Sequence, residues 1–107
     1  MVKHQRLVRY YVPNQLESEG KSFRTRTLET EEYEHLLRNR LKEEVDAYHQ
    51  TEENRHALTA LADILEVVHA LSYTHGASIE ELEHIRQHRR KVMGGFLTKT
   101  LLIDAGE

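Results

Sequence analysis

Leu58, Leu61, Ile64, Leu65, Val67, Val68 and Leu71 fall within one short stretch of the chain. On a period of 3.6 residues they occupy most of a helix's circumference instead of one stripe. A helix apolar on several sides has to be covered on several sides, so this segment sets the architecture as the centre of a helical bundle. The composition agrees: one proline and five glycines in 107 residues are too few for the many turns of a sandwich or barrel. The expected fold is all-α, a single domain spanning residues 1–107.

Around the central helix the punctuation can be read from the residues. From Thr30, read as an N-cap, Tyr33, Leu36, Leu37, Leu41, Val45 and Tyr48 recur at steps of three and four, predicting a first helix that ends near Gln50. Thr51 or Asn54 opens the central helix, and Gly76 stops it. Ser78 with Glu81 three residues later forms a capping box for a third helix, which runs through Leu82 and Ile85 to Met93 and ends at Gly94-Gly95. Residues 28–94 thus hold three helices. Residues 1–27, where the alternation Arg6-Leu7-Val8-Arg9-Tyr10-Tyr11-Val12 is broken by Pro13, read as an extended arm followed by loop, and residues 95–107 as a tail. Three helices leave too much apolar surface uncovered for a monomer, so the core is expected to be completed by a homodimer or higher homo-oligomer.

Charge and composition bound the function classes. The absence of cysteine excludes a disulfide framework and a thiolate metal site. No run approaches about 20 consecutive apolar residues, and no apolar stretch of signal-peptide length follows Met1-Val2-Lys3-His4-Gln5, so a cytoplasmic location is expected. A formal net charge of -3 gives no overall attraction to nucleic acid or to an anionic membrane, and neither is expected as a partner. Phosphate recognition would have to come from local clusters.

The informative residues are acids where the pattern calls for apolar side chains. Leu37, Leu41, Glu44 and Tyr48 follow one another at steps of four, three and four, which turns Glu44 inward. Asp63 has Thr59, Ala60, Val67 and Ala70 as helical neighbours, a face of small residues that another helix can approach closely. A carboxylate so placed is costly unless it is paired, hydrogen-bonded or metal-bound. Pairing with inward arginines competes with the metal reading for each acid taken alone. Glu43 and Asp46 lie toward the polar side, while Glu66, one turn beyond Asp63, flanks the same face. His84 and His88 have the i,i+4 spacing of a shared metal ion but lack a third ligand, and lie among Arg86, Arg89 and Arg90. Arg89-Arg90-Lys91 suits the negative end of the third helix's dipole and, ahead of Gly94-Gly95, is also a phosphate-gripping candidate.

With these residues in place the chain resembles the MazG-like all-α nucleoside triphosphate pyrophosphohydrolases, the group that includes phosphoribosyl-ATP pyrophosphohydrolase, over about residues 6–96. Arg6-Leu7-Val8-Arg9 followed by Pro13 resembles that group's basic N-terminal signature. Leu41-Lys42-Glu43-Glu44-Val45 is similar to the start of its Glu-Glu-x-x-Glu motif, Leu61-Ala62-Asp63-Ile64-Leu65-Glu66-Val67 to the end of its Glu-x-x-Asp motif, and Gly94-Gly95-Phe96 to its Arg-Gly-Gly-Phe. The resemblance implies magnesium held by four acids, two per helix at i,i+3, and hydrolysis of a nucleoside triphosphate or phosphoribosyl-ATP-like substrate to the monophosphate and pyrophosphate. The four positions are Glu44, Ala47, Ala60 and Asp63, so two of the implied ligands are alanine. Tyr10 stands where the group usually has Asp, and Met93 where an Arg precedes the glycines. The implied roles are metal ligation by Glu44 and Asp63, orientation of water by Glu43 or Glu66, and phosphate binding by Arg6, Arg9, Arg89, Arg90 and Lys91. The alternative is a catalytically degenerate member that binds nucleotide or a protein partner without turnover.

Overall fold

The computed structural model describes residues 5–106, and every helix or strand assigned in it is a helix: α1 (Val12–Ser18), α2 (Thr30–His49), α3 (Asn54–Thr74) and α4 (Ile79–Met93). The all-α expectation holds. The reading of Met1 to His4 lies outside the described residues. The structure departs from the extended-arm expectation at α1, which occupies part of the predicted loop. Pro13 sits in its first turn, where a missing N–H costs nothing and a fixed φ favours the helix, so the residue read as a breaker is an initiator. Gly20, at φ 72°, ends this passage in the left-handed region.

α2 and α3 are joined by the four residues 50–53, which makes them antiparallel neighbours, and they pack along each other. Thr30 is the first helical residue of α2 and Glu29 its N-cap, with no side-chain cap bond; Glu31 and Glu32 lie in the first turn and favour its dipole. The core is the seam between these two helices. Leu37 of α2, 4% exposed, meets the face of α3 on which Ala60 and Val67 are buried. Small Ala60 lets the helix backbones come close. By length and composition alone α3 is apolar enough to cross a bilayer, with mean hydropathy 1.2 over its most apolar window. That exceeds what the count of consecutive apolar residues suggested. Asp63 and Glu66 stand in its middle, and its Ala60–Val67 face is the core seam.

α4 touches α3 and no other helix among the described residues. Its start is well defined: the Ser78 hydroxyl accepts from the Glu81 backbone N–H at 3.1 Å, as the capping box requires. Buried Ser72 of α3 ties the preceding turn down by donating to the Ala77 carbonyl at 3.0 Å, and Gly76 turns the chain at φ 77°. Beyond its first turns α4 leaves the bundle. Leu82 is half-buried, but Ile85, Val92 and Met93 are exposed, as are Phe96, Leu97, Leu101, Leu102 and Ile103 of the tail.

Candidate functional site

The N-terminal arm lies across the α2–α3 hairpin, held by two arginines that reach the two inward acids. Arg40, one turn before Glu44 on α2, donates from Nε to Glu44 Oε1 at 2.7 Å. Its Nη1 donates to the backbone carbonyl of Leu7 at 2.5 Å. One guanidinium thus neutralises the acid and pins the arm. Both side chains are largely shielded, at 20% and 16% exposure, so the fork is held in a low-dielectric seam where a charge-assisted bond is strong. On α3, Asp63 Oδ1 accepts from Arg9 Nη2 at 3.0 Å, a more open pair. Leu7 and Arg9 are two residues apart in a stretch outside any helix, and there the arm delivers one backbone carbonyl to α2 and one cation to α3.

Glu44 and Asp63 are therefore placed on adjacent helices under the same arm, each half-buried as their helical neighbours implied. In both, one carboxylate oxygen carries the arginine bond, and no hydrogen bond reaches Glu44 Oε2 or Asp63 Oδ2 among the described residues. Glu43 joins Arg6, Leu7, Leu36, Asn39 and Arg40 around a small hollow of about 80 Å³ beside the arm. Arg9 thus meets Asp63, and Arg6 lines the same hollow as Glu43. Glu66 is exposed on α3, and Arg89, Arg90 and Lys91 are exposed on α4, a helix that does not touch α2.

The two alanines at the implied ligand positions occupy different surroundings. Ala60 is 7% exposed and fills the seam against α2. Ala47 is exposed and lines a wide polar hollow of about 330 Å³ with Gln50, Thr51, Glu52, Glu53 and His56 at the α2–α3 turn. No group of three or more His, Asp or Glu side chains is arranged to hold a metal ion among the described residues. One magnesium is commonly held by one or two carboxylates with substrate phosphates completing the shell, and Glu44 and Asp63 each keep an oxygen for that purpose.

Arg40 is the site residue that the inward-acid argument left unnamed. Its signal was present, because it stands four residues before Glu44, the spacing at which helical side chains of opposite charge meet. No family model, curated protein or solved structure matches the chain.

Proposed function

We propose that the chain is a MazG-like nucleotide pyrophosphohydrolase with an altered metal site, acting as a homo-oligomer on a nucleoside triphosphate or phosphoribosyl-ATP-like substrate. The observation that carries this reading is the pair of half-buried acids, Glu44 and Asp63, on adjacent helices beneath an arm that supplies Arg6 and Arg9. Carboxylates and guanidiniums intermixed in one seam suit a ligand that is itself mixed in charge, a magnesium-bearing polyphosphate. Magnesium, when bound with the nucleotide, neutralises phosphate charge and makes the phosphorus a better target for water. Glu44 and Asp63, each with one carboxylate oxygen free of hydrogen bonds among the described residues, would hold it. Arg9 swings from Asp63 to the phosphates, and Arg6, from the neighbouring hollow, adds a second donor. Glu43, or Glu66 from α3, accepts a hydrogen bond from the attacking water and orients it. Water adds at the phosphorus next to the sugar, the bond to the departing pyrophosphate breaks, and the nucleoside monophosphate remains. Arg89, Arg90 and Lys91 stand on α4, away from α2, and would join the phosphate-facing cations from a second copy of the chain.

The test is pyrophosphate release from a panel of nucleotides with magnesium, comparing the natural chain with Glu44→Gln and Asp63→Asn. These isosteric changes keep an acceptor for Arg40 and Arg9. Turnover lost at least a hundredfold in both, with unchanged helical content, is the expected result; turnover equal to the natural chain sinks the assignment.

A second reading, binding without turnover, is favoured by buried Ala60. An implied metal ligand has there become part of the core, and its return would force a carboxylate into the α2–α3 seam. Under this reading the natural chain binds magnesium-nucleotide and releases no pyrophosphate. Ala47→Glu, at an exposed position, then tightens magnesium binding without loss of fold.

A further inference from the structure

We propose that α4 and the tail form a strap that docks reciprocally on the outer face of α3 in a second copy of this chain. The face to be covered lies opposite the core seam: Leu58, Leu61 and Leu65, at steps of three and four, are 67%, 41% and 57% exposed. The covering element is equally bare. Phe96, Leu97, Leu101, Leu102 and Ile103 are 77% to 97% exposed, and they continue the apolar edge of α4 through Ile85, Val92 and Met93. Gly94, at φ 83°, redirects the chain between the two segments. The lone chain therefore carries an apolar surface and an apolar strap that do not meet. Its radius of gyration is 18.4 Å, whereas a compact domain of this length has about 13 Å.

Charge distribution selects a second copy as the occupant. From Glu43 to Asn54 the chain carries Glu43, Glu44, Asp46, Glu52 and Glu53 and no lysine or arginine. From His88 to Ile103 it carries Arg89, Arg90, Lys91 and Lys99 and no acid. The acidic segment leads directly into the bare face of α3; the basic one is the strap. A chain with both halves of a complementary contact finds its match in itself, and two-fold pairing makes that contact twice. Reciprocity also answers the demand for area: a stable interface needs about 800 Å² from each partner, and here every copy contributes both a strap and a face. The docking brings the strap's Arg89, Arg90 and Lys91 toward the turn-side half of the second copy's hairpin, in which Glu43 lies. Only this last consequence rests on the nucleotide reading; the strap itself is tested without nucleotide.

The absence of cysteine makes the test clean. Leu65→Cys and Leu102→Cys are made as separate single-cysteine chains, mixed in equal amounts at micromolar concentration and oxidised, with Lys21→Cys as a control partner. Sedimentation of the natural chain is expected to give twice 12.6 kDa. The Leu65–Leu102 mixture is expected to give a disulfide-linked heterodimer at least fivefold in excess of either control mixture. Removal of residues 96–107 is expected to give a folded monomer. A monomeric natural chain overturns the proposal, as does a dimer that survives the truncation. So does a chain carrying both cysteines that crosslinks within itself as a monomer, since the strap would then cover its own α3.

Discussion

The α2–α3 hairpin and the α4–tail region are both built from amphipathic sequence, yet the inner seam of the first finds its partners within the chain and the second does not. In the hairpin, Leu37, Ala60 and Val67 are buried where α2 packs on α3, and Glu44 and Asp63 have Arg40 and Arg9. In the other region Val92, Met93, Phe96 and Leu101 are exposed, and Arg89, Arg90 and Lys91 make no ion pair with an acid among the described residues. Burial close to completion defines a core, whereas an apolar stripe left bare defines a surface awaiting one. The inner seam with its arm is where a site can be preorganised, while the outer face of α3, with Leu58, Leu61 and Leu65, is left uncovered like the tail.

Substitutions should break that comparison unequally. Leu37→Ala removes the most buried large side chain of the seam and is expected to cost about 2–5 kcal/mol in urea unfolding. In the monomeric chain lacking residues 96–107, Val92→Ala on the bare edge is expected to change stability by less than about 0.5 kcal/mol. Arg40→Met removes the partner of a shielded carboxylate and the anchor of Leu7, for about 1–3 kcal/mol. Adding Glu44→Gln to that variant should recover part of the loss, since the second change removes the stranded charge. Ser78→Ala deletes the cap of α4 and should cost about 1 kcal/mol, with the earliest loss of hydrogen-exchange protection in α4.

The smallest effect is one of pH. Hydrogen bonding by Arg26 holds the Glu32 carboxyl below its ordinary pKa, and hydrogen bonding by Arg86 does the same for Glu83. A carboxyl whose pKa is lower in the folded than in the unfolded chain contributes stability that is present above the unfolded value. That contribution disappears as pH falls through the lowered folded one. Both pairs are exposed, so the thermal midpoint should fall only slightly more between pH 5 and pH 3 in the natural chain than in Glu32→Gln/Glu83→Gln, a change read by calorimetry.

The residues that write a helix end into the sequence were legible: Ser78 with Glu81, Gly76 and Gly94 stand where the structure starts or stops its helices. Inward acids were legible too, because a step of three or four through Glu44 fixes its direction whatever surrounds it. α1 was not, since seven residues carry too little period to register and Pro13 signals a helix start as readily as a break. The contacts of the arm were the least readable part. Arg9 meets Asp63 across 54 positions of chain, and nothing local to either residue records that meeting.

The central claim, that Glu44 and Asp63 together receive a magnesium-bearing polyphosphate, is tested most directly by the thermal midpoint with millimolar magnesium and nucleotide, alone and combined, in the natural chain and in Asp63→Asn. A ligand at a hundred times its dissociation constant stabilises the native state by about 2.7 kcal/mol, enough to raise the midpoint of a chain this small by several degrees. The account predicts such a rise for the natural chain when both are present, a smaller one with nucleotide alone, and none in Asp63→Asn. An equal rise in the variant, or no rise for any nucleotide in the natural chain, would contradict it.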